Sequence, residues 1–419
     1  MTETPNDNCN LDALLRQLPF LGGFDPAGRR VFVRADFNVP LDNYGAMVDD
    51  GRLRAVLPTI NYLLDHGARV IVGGHLRNPL AGGSEPDQSL SFSALAHRLS
   101  RIWEVEVELA PGVVGPETSR AAAGLAPGRV LLLENLRFHP GEISGDPDFA
   151  RQLAAMADLY VNDAFGVCHR DHASMTTITR FAPACVAGFA LRNELLALHR
   201  ALSHPAHPLG AIIGGGHIEF KLPVVDKLMG LADYLFLGGA MGDAFSRLAY
   251  GSNLDHLGLS PASLAMMARL LDDARHGRSK LLLPLDVMAV IRGDDPAGAQ
   301  PMSVLDLTAD YITGDIGPAT RLLYQEVLAG CRTIIWNGPM GTSETPAFTR
   351  GTALMTKIMA ECPGVTLAGG VDTSAAILKM SDRSQVSFLS AGGSAFLKAL
   401  AGRPLAALTA LLDHRPRKE

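Results

Sequence analysis

Residues 211–227 read AIIGGGHIEFKLPVVDK: a short apolar run, three glycines, His217, Lys221 and then an amphipathic segment. An apolar strand that breaks on glycines and re-forms as a helix turns backbone N–H groups toward any ligand held there, and suits a phosphate. Glycine serves such a turn because the chain bends sharply and a ligand approaches the backbone. Neither common phosphate loop is present. No Gly-Lys pair occurs in the chain, which excludes GxxxxGK[ST]. Gly214 and Gly216 lack the third glycine of the dinucleotide fingerprint, since position 219 is Glu. From this stretch alone, a glycine turn kept for close helix–strand packing fits equally well.

The same rhythm extends outward from it. In the second half, apolar strands at 210–213, 234–237, 280–283, 333–336 and 365–367 each end on a glycine- or proline-rich loop: GGGH, GGAMG, PLD, NGPMG and AGGVDT. In the first half, strands at 31–39, 68–72, 130–133 and 159–161 alternate with helical patterns at 51–65, from 93 to about 103, and from the Asp146-Pro147 start. Aspartate followed by proline caps and opens a helix. Strand–loop–helix alternation predicts an α/β fold of two doubly wound, parallel-sheet, Rossmann-like domains. A polar stretch at 195–208 separates them. The expected divisions are 1–194, 195–400, and a closing segment 401–419 that packs back on the first domain.

At 419 residues the chain suits two cores rather than one. The formal charge of −6 gives no basic surface for nucleic acid or anionic membrane. Five scattered cysteines without CxxC spacing indicate neither a zinc site nor a disulfide framework, and reduced thiols fit a cytoplasmic protein. No apolar run approaches the roughly 20 residues that span a bilayer, and the acidic, polar start has no signal-peptide pattern.

Ligands of open α/β sheets bind at the carboxyl ends of strands. In the first half those ends collect Arg34, Asp36, Asn38, Arg52, His75, Arg77, Arg137, His169, Arg170 and His172. Converging guanidinium and imidazole groups suit a small, multiply anionic acid. In the second half they collect glycines, Lys221, Asn337, Glu344 and Asp372, which suit a nucleotide with its metal.

The segments VFVRADFNVPL, GGHLRNP, LLLENLRFHPGE, YVNDAFGVCHRDHAS, VAGF, DIGP and WNGPMG, in this order, resemble the phosphoglycerate kinase family over about residues 29–410. The resemblance implies reversible phosphoryl transfer between MgATP or MgADP and the carboxylate of 3-phosphoglycerate, giving 1,3-bisphosphoglycerate. It also implies a first domain that binds the acid, a second that binds the nucleotide, hinge closure between them, and a monomer with small-molecule partners only. Carried over by position, the acid set is Asp36, Asn38, Arg52, His75, Arg137 and Arg170. The nucleotide set is Gly215, Gly216, Lys221, Asn337, Pro339, Gly341, Glu344 at the ribose, Gly370 and Thr373, with Asp372 at Mg²⁺. Arg34, Lys221 and His217 fall at the positions nearest the transfer.

Several positions depart from the family pattern. His217 stands where the family has a lysine that stabilises the moving phosphoryl group. Such a loss costs about 3 kcal/mol, two to three decades of rate. The family's HLGRP reads HLRNP, with Arg77 for glycine and Asn78 for arginine. Val371 replaces a glycine before Asp372, where a β-branched residue is strained if φ is positive. Ala240, Thr342-Ser343, Ala391, Ser394 and Phe396 also differ from it. These changes leave two further readings: a relative that phosphorylates a different carboxylic acid, and a nucleotide-binding protein with weak or no catalysis.

Overall fold

The computed structural model describes residues 11–414 apart from 43–46, 82, 84–85, 253, 255–256 and 382. The polar start of the sequence and its basic end at 415–419 lie outside them. Two compact units result. One runs to Leu196 and takes in the residues from Pro404 onward; the other is Ala197–Arg403.

The first unit is built on β1 (Arg30–Arg34), β2 (Arg69–Gly73), β3 (Val107–Leu109), β4 (Val130–Leu132), β5 (Leu159–Asn162) and β6 (Cys185–Ala187). They form one sheet in the order β3-β4-β2-β1-β5-β6, parallel throughout. Continuous apolar strands are what a sheet covered on both faces requires. Val31, Val33, Val70, Val72, Leu132 and Val161 pack on Leu53, Ile60, Leu99 and Trp103 from flanking helices. The helix expected at 51–65 is two helices, Gly51–Ala55 and Leu57–Asp65. Pro58 enforces the break, because it donates no N–H and its ring collides with a carbonyl four residues back. The helix Ser93–Trp103 agrees with the sequence reading, as does the cap at Asp146, whose carboxylate accepts the N–H of Phe149 at 2.7 Å.

The second unit contains β7 (Leu209–Ile213), β8 (Tyr234–Leu237), β9 (Lys280–Leu282), β10 (Asp286–Ile291), β11 (Gln300–Ser303), β12 (Tyr311–Ile316), β13 (Thr333–Asn337), β14 (Val365–Gly369) and β15 (Phe388–Ser390). Its main sheet is parallel in the order β15-β14-β13-β7-β8-β9. Strands β10–β12 form a separate antiparallel sheet, order β11-β10-β12, that the sequence reading lacked. Trp336 and Tyr324 anchor the main core; the Tyr324 hydroxyl donates to the carbonyls of Leu237 and Leu282, at 2.7 and 2.9 Å.

One expectation changes. The stretch 195–208 lies where the two units divide, but it is not a loop throughout: its first residues belong to the helix Phe189–Leu202. The helix begins beside Asp163, which accepts the N–H of Leu191 at 3.0 Å and whose carboxyl is pushed up to about 7 by burial. Leu195, Leu198 and Ala201 give that helix its buried face. His207 is exposed and pairs with Asp233 at 2.5 Å. No helix among the described residues is long and apolar enough to cross a membrane.

Candidate active site

Four neighbouring strands of each main sheet deliver the candidate residues. In the first unit the loops after β1, β2, β4 and β5 carry them, and in the second those after β7, β8, β13 and β14. A parallel sheet sends all these carboxyl ends to one edge, so residues far apart in sequence become neighbours.

In the first unit Arg34 closes β1 and is fully buried. Its Nε donates to Ser174 Oγ at 2.8 Å, and one Nη donates to the Ala35 carbonyl. The other Nη lies 3.2 Å from His75 Nδ1 and 3.8 Å from Glu142 Oε1. Glu142 in turn accepts from the Ser174 hydroxyl at 2.6 Å and its N–H at 2.9 Å. Arg34 is thus enclosed by protein partners, and its expected place beside the reacting atoms does not fit this enclosure. Of the more accessible guanidinium groups, Arg52 is partly buried and donates to Asp36 at 2.8 Å, and Asp36 also accepts the N–H of Asn38 at 3.1 Å; Arg77 and Arg170 are exposed.

Asn38 Oδ1 accepts the N–H of Arg77 at 2.9 Å, and the Arg77 carbonyl accepts from Arg137 at 2.5 Å. Arg77 has φ 51°, so the position where the family pattern has glycine is left-handed here. Its guanidinium reaches the Leu41 carbonyl at 3.4 Å. Burial, then Arg170 and Arg34, bring Arg137 down to about 10, and its Nε is buried without a hydrogen-bond partner. His75 is held well below the usual histidine range by burial and by Arg34, Arg137, His172 and Arg170. His172 falls to about 3 from burial and the same arginines, and its Nδ1 has no hydrogen bond. Both imidazoles are therefore neutral at pH 7, and the positive charge belongs to the guanidinium groups. His172 is the residue to which sequence reasoning gave no role of its own.

In the second unit a cavity of about 390 Å³ is lined by Gly215, Gly216, Pro339, Gly341, Glu344 and Asp372 from the expected set. Gly239, Asp243, Arg247, Leu257, Val287, Tyr311, Ile312 and Asp315 also line it. Lys221, Asn337, Gly370 and Thr373 lie behind that wall and hold it. Lys221 Nζ donates to the Gly214 carbonyl at 2.6 Å; burial lowers its ammonium to about 8, against the opposing pull of Asp372. Asn337 Nδ2 donates to the Gly369 carbonyl at 2.6 Å, and Thr373 Oγ1 accepts the N–H of Gly338 at 2.7 Å. Gly338 has φ +90°, and a Cβ there would stand 2.1 Å from the Gly214 carbonyl oxygen, so only glycine joins the two loops.

His217 is exposed, at φ 55°, at the start of the helix Ile218–Met229, with no side-chain cap. The strain expected at Val371 is absent. Val371 is the first residue of the helix Val371–Met380, and the positive φ belongs to Gly370, at 110°. Asp372 is exposed on the cavity wall, and Asn337 Oδ1 is buried without a partner. An accessible carboxylate among phosphate-sized backbone cradles is a hard oxygen donor suited to Mg²⁺, which keeps most of its water and shares the nucleotide's oxygens.

Three buried charged residues of the wall were missed. Asp315 lies in the DIGP motif; it accepts the N–H groups of Gly351 at 2.7 Å and Ile316 at 2.9 Å, and burial raises it to about 6. Asp243 and Arg247 form a buried pair one helical turn apart. The available signal was their i,i+4 spacing directly after GGAM.

The family model described as phosphoglycerate kinase matches residues 21–403. A protein of Desulfosudis oleivorans named phosphoglycerate kinase is 41% identical over 392 residues, 94% of this chain and 98% of the relative. Its namesake in Desulforudis audaxviator is 44% identical over 387 residues, 92% and 97% of the two chains. The solved phosphoglycerate kinase of Coxiella burnetii superposes with a TM-score of 0.80 at 30% identity, covering 94% of this chain and 98% of that one. The Pyrococcus horikoshii enzyme gives 0.81 at 29% identity with the same coverage.

Proposed function

The chain belongs to the phosphoglycerate kinase family, and on that premise we propose that it transfers a phosphoryl group between MgATP and the carboxylate of 3-phosphoglycerate, reversibly. Membership makes it a phosphotransferase with a carboxyl group as acceptor. The observation that carries the assignment to this chain's own residues is the 390 Å³ cavity. Its walls join glycine loops, Glu344 and Asp372.

In this reading phosphate oxygens meet the backbone N–H groups from Gly216 into the start of the helix Ile218–Met229, which adds its positive end, while the Gly215 N–H donates to the Pro339 carbonyl and holds the loop in place. Glu344 accepts from the ribose hydroxyls. Lys221, protonated below about pH 8, supplies positive charge beneath the glycine loop. Asp372 would hold Mg²⁺, which neutralises phosphate charge as it builds on the transferring group. On the acid side, Arg137, Arg170 and Arg52 bind the phosphate and carboxylate of the acid, while neutral His75 offers a hydrogen bond. Arg34 acts at one remove, by holding His75, Ser174 and Glu142. His217 donates to the phosphoryl group where the family pattern has lysine. The protein works as a monomer in the cytoplasm on small molecules.

The test is ATP consumption with 3-phosphoglycerate and Mg²⁺, the acyl phosphate being drawn off by a coupled dehydrogenase. Turnover that depends on both substrates supports the assignment. MgATP binding without turnover of this acid, but with hydroxamate formation from another, would move the assignment to a different carboxylate. The HLRNP loop, with Asn78 in place of arginine, is the feature that favours that second reading.

A further inference from the structure

The cavity wall divides chemically. Its glycine loops and Asp372 suit phosphates, and Glu344 suits ribose hydroxyls. The rest of the lining is mixed, and within it Leu257, Val287 and Ile312 supply the apolar surface a purine ring needs. The same wall also holds a buried ion pair. Asp243 and Arg247 both line the cavity, on the helix Gly239–Ala249. Gly239 begins that helix and lies against Gly215; a Cβ on Gly239 would stand 2.6 Å from the Gly215 nitrogen. Asp243 is four residues further along, about 6 Å beyond the phosphate loop at the helical rise. Arg247 is one turn beyond that.

Among the described residues, one side-chain donor holds Asp243. Arg247 Nε lies 3.0 Å from Asp243 Oδ1 and 3.1 Å from Oδ2, and Arg247 Nη1 donates to the Thr308 carbonyl at 3.4 Å. A carboxylate has about four acceptor sites. The shared Nε–H leaves acceptor capacity on both oxygens. Two adjacent acceptors match two adjacent donors. Guanine presents N1–H and the 2-amino group side by side, hypoxanthine presents N1–H alone, and adenine presents its 6-amino group next to an unprotonated N1 that repels a carboxylate. Resting on the nucleotide reading of this cavity, we propose that Asp243, oriented by Arg247, reads the purine base and makes guanine nucleotides the preferred phosphoryl donors and acceptors. Arg247 is the positioning residue: it fixes the carboxylate rotamer and neutralises a charge that would otherwise be buried alone.

The experiment measures kcat/KM for MgATP, MgITP and MgGTP on the full chain, wild type and Asp243→Asn. A carboxylate that accepts both donors of guanine favours MgGTP over MgATP by about tenfold, with MgITP between. Asparagine keeps an acceptor for Arg247 but turns an N–H toward the base, so the GTP/ATP ratio falls to about one or below. A pair that only stabilises the helix would move both nucleotides by the same factor and leave the ratio unchanged, which overturns the proposal. So does a wild-type ratio of one or less. Thermal shifts of the wild-type protein with MgADP and MgGDP give the same comparison without a variant: a larger shift with MgGDP supports the proposal and an equal or smaller one sinks it. Stabilisation by MgADP alone overturns base reading while leaving the nucleotide site intact. No shift with either nucleotide removes both.

Discussion

The ammonium of Lys221 donates to the carbonyl of Gly214 across 2.6 Å, from a buried position behind the glycine loop. Burial makes its proton easier to lose, at about pH 8 rather than the usual 10.5. The unfolded chain therefore holds this proton more tightly, and the cost of burying the charge is present at neutral pH and declines as pH rises from about 8 toward 10.5. For catalysis the sign is opposite, because the charge itself is used. We expect kcat/KM for MgATP to fall as pH rises through about 8. The limb in kcat lies higher, since bound phosphates favour the protonated lysine. Lys221→Arg, charged throughout, lowers the rate but loses this limb. A wild-type profile that is flat from pH 7 to 9.5 would contradict the assignment.

His217 is exposed at the mouth of the same loop, so a longer cationic side chain meets no packing obstacle there. His217→Lys should raise kcat by about tenfold or more, within the two to three decades that a pre-aimed charge contributes. KM for the acid should stay within about twofold. Single-turnover measurements separate this gain in the chemical step from a change in nucleotide binding.

Arg34 and Arg52 should part company under mutation. Removing the Arg34 side chain leaves Glu142 buried and loses a charged partner, a change that costs about 3–5 kcal/mol. We expect Arg34→Met to lower the melting temperature strongly, with part of the loss recovered in the Arg34→Met, Glu142→Gln pair. Arg52→Met, which frees only a partly exposed carboxylate at Asp36, should lower the melting temperature much less than Arg34→Met and raise KM for 3-phosphoglycerate by about tenfold or more. Equal stability of the two single variants would show that Arg34 does not have the structural role assigned here.

Arg77 holds a left-handed backbone while its N–H and carbonyl bridge Asn38 and Arg137. Those bonds belong to the backbone, so glycine preserves them and relieves about 1 kcal/mol of strain. Arg77→Gly should raise stability in thermal unfolding and leave KM for the acid within about threefold. A rise of tenfold would mean that the Arg77 side chain itself holds the acid, recovering the charge missing at Asn78.

The parallel architecture was legible because buried strands ending on glycine loops repeat through both halves. The loops after β1, β2, β4 and β5 in the first unit, and after β7, β8, β13 and β14 in the second, carry the candidate residues as the strand-end rule requires. Three things were not legible, each for a reason. Strands β10–β12 were hidden because Gln300–Ser303 and Tyr311–Ile316 are short and mixed in polarity, so neither presents the apolar run that marks the other strands. Arg34 reads as one more basic residue at a strand end; its enclosure depends on Glu142 and Ser174, more than a hundred residues away. The strain assigned to Val371 belongs one residue earlier, at Gly370, because a helix start tolerates valine once the preceding residue has made the turn.

The helix Ala406–Asp413 places Ala407, Leu408 and Leu411 in the interior of the unit that holds the opening strands. The N–H of Ala407 donates to the Cys168 carbonyl at 3.0 Å, and His414 Nδ1 meets the Thr179 carbonyl at 2.8 Å. During synthesis these residues leave the ribosome after all of Ala197–Arg403. The half of the protein made first therefore stays unsealed until the other half has been delivered, which reverses the usual order in which nascent domains mature. A chain cut after Arg403 would keep the whole second unit and, upstream of it, leave the surface around Cys168 and Thr179 uncovered for chaperones to guard.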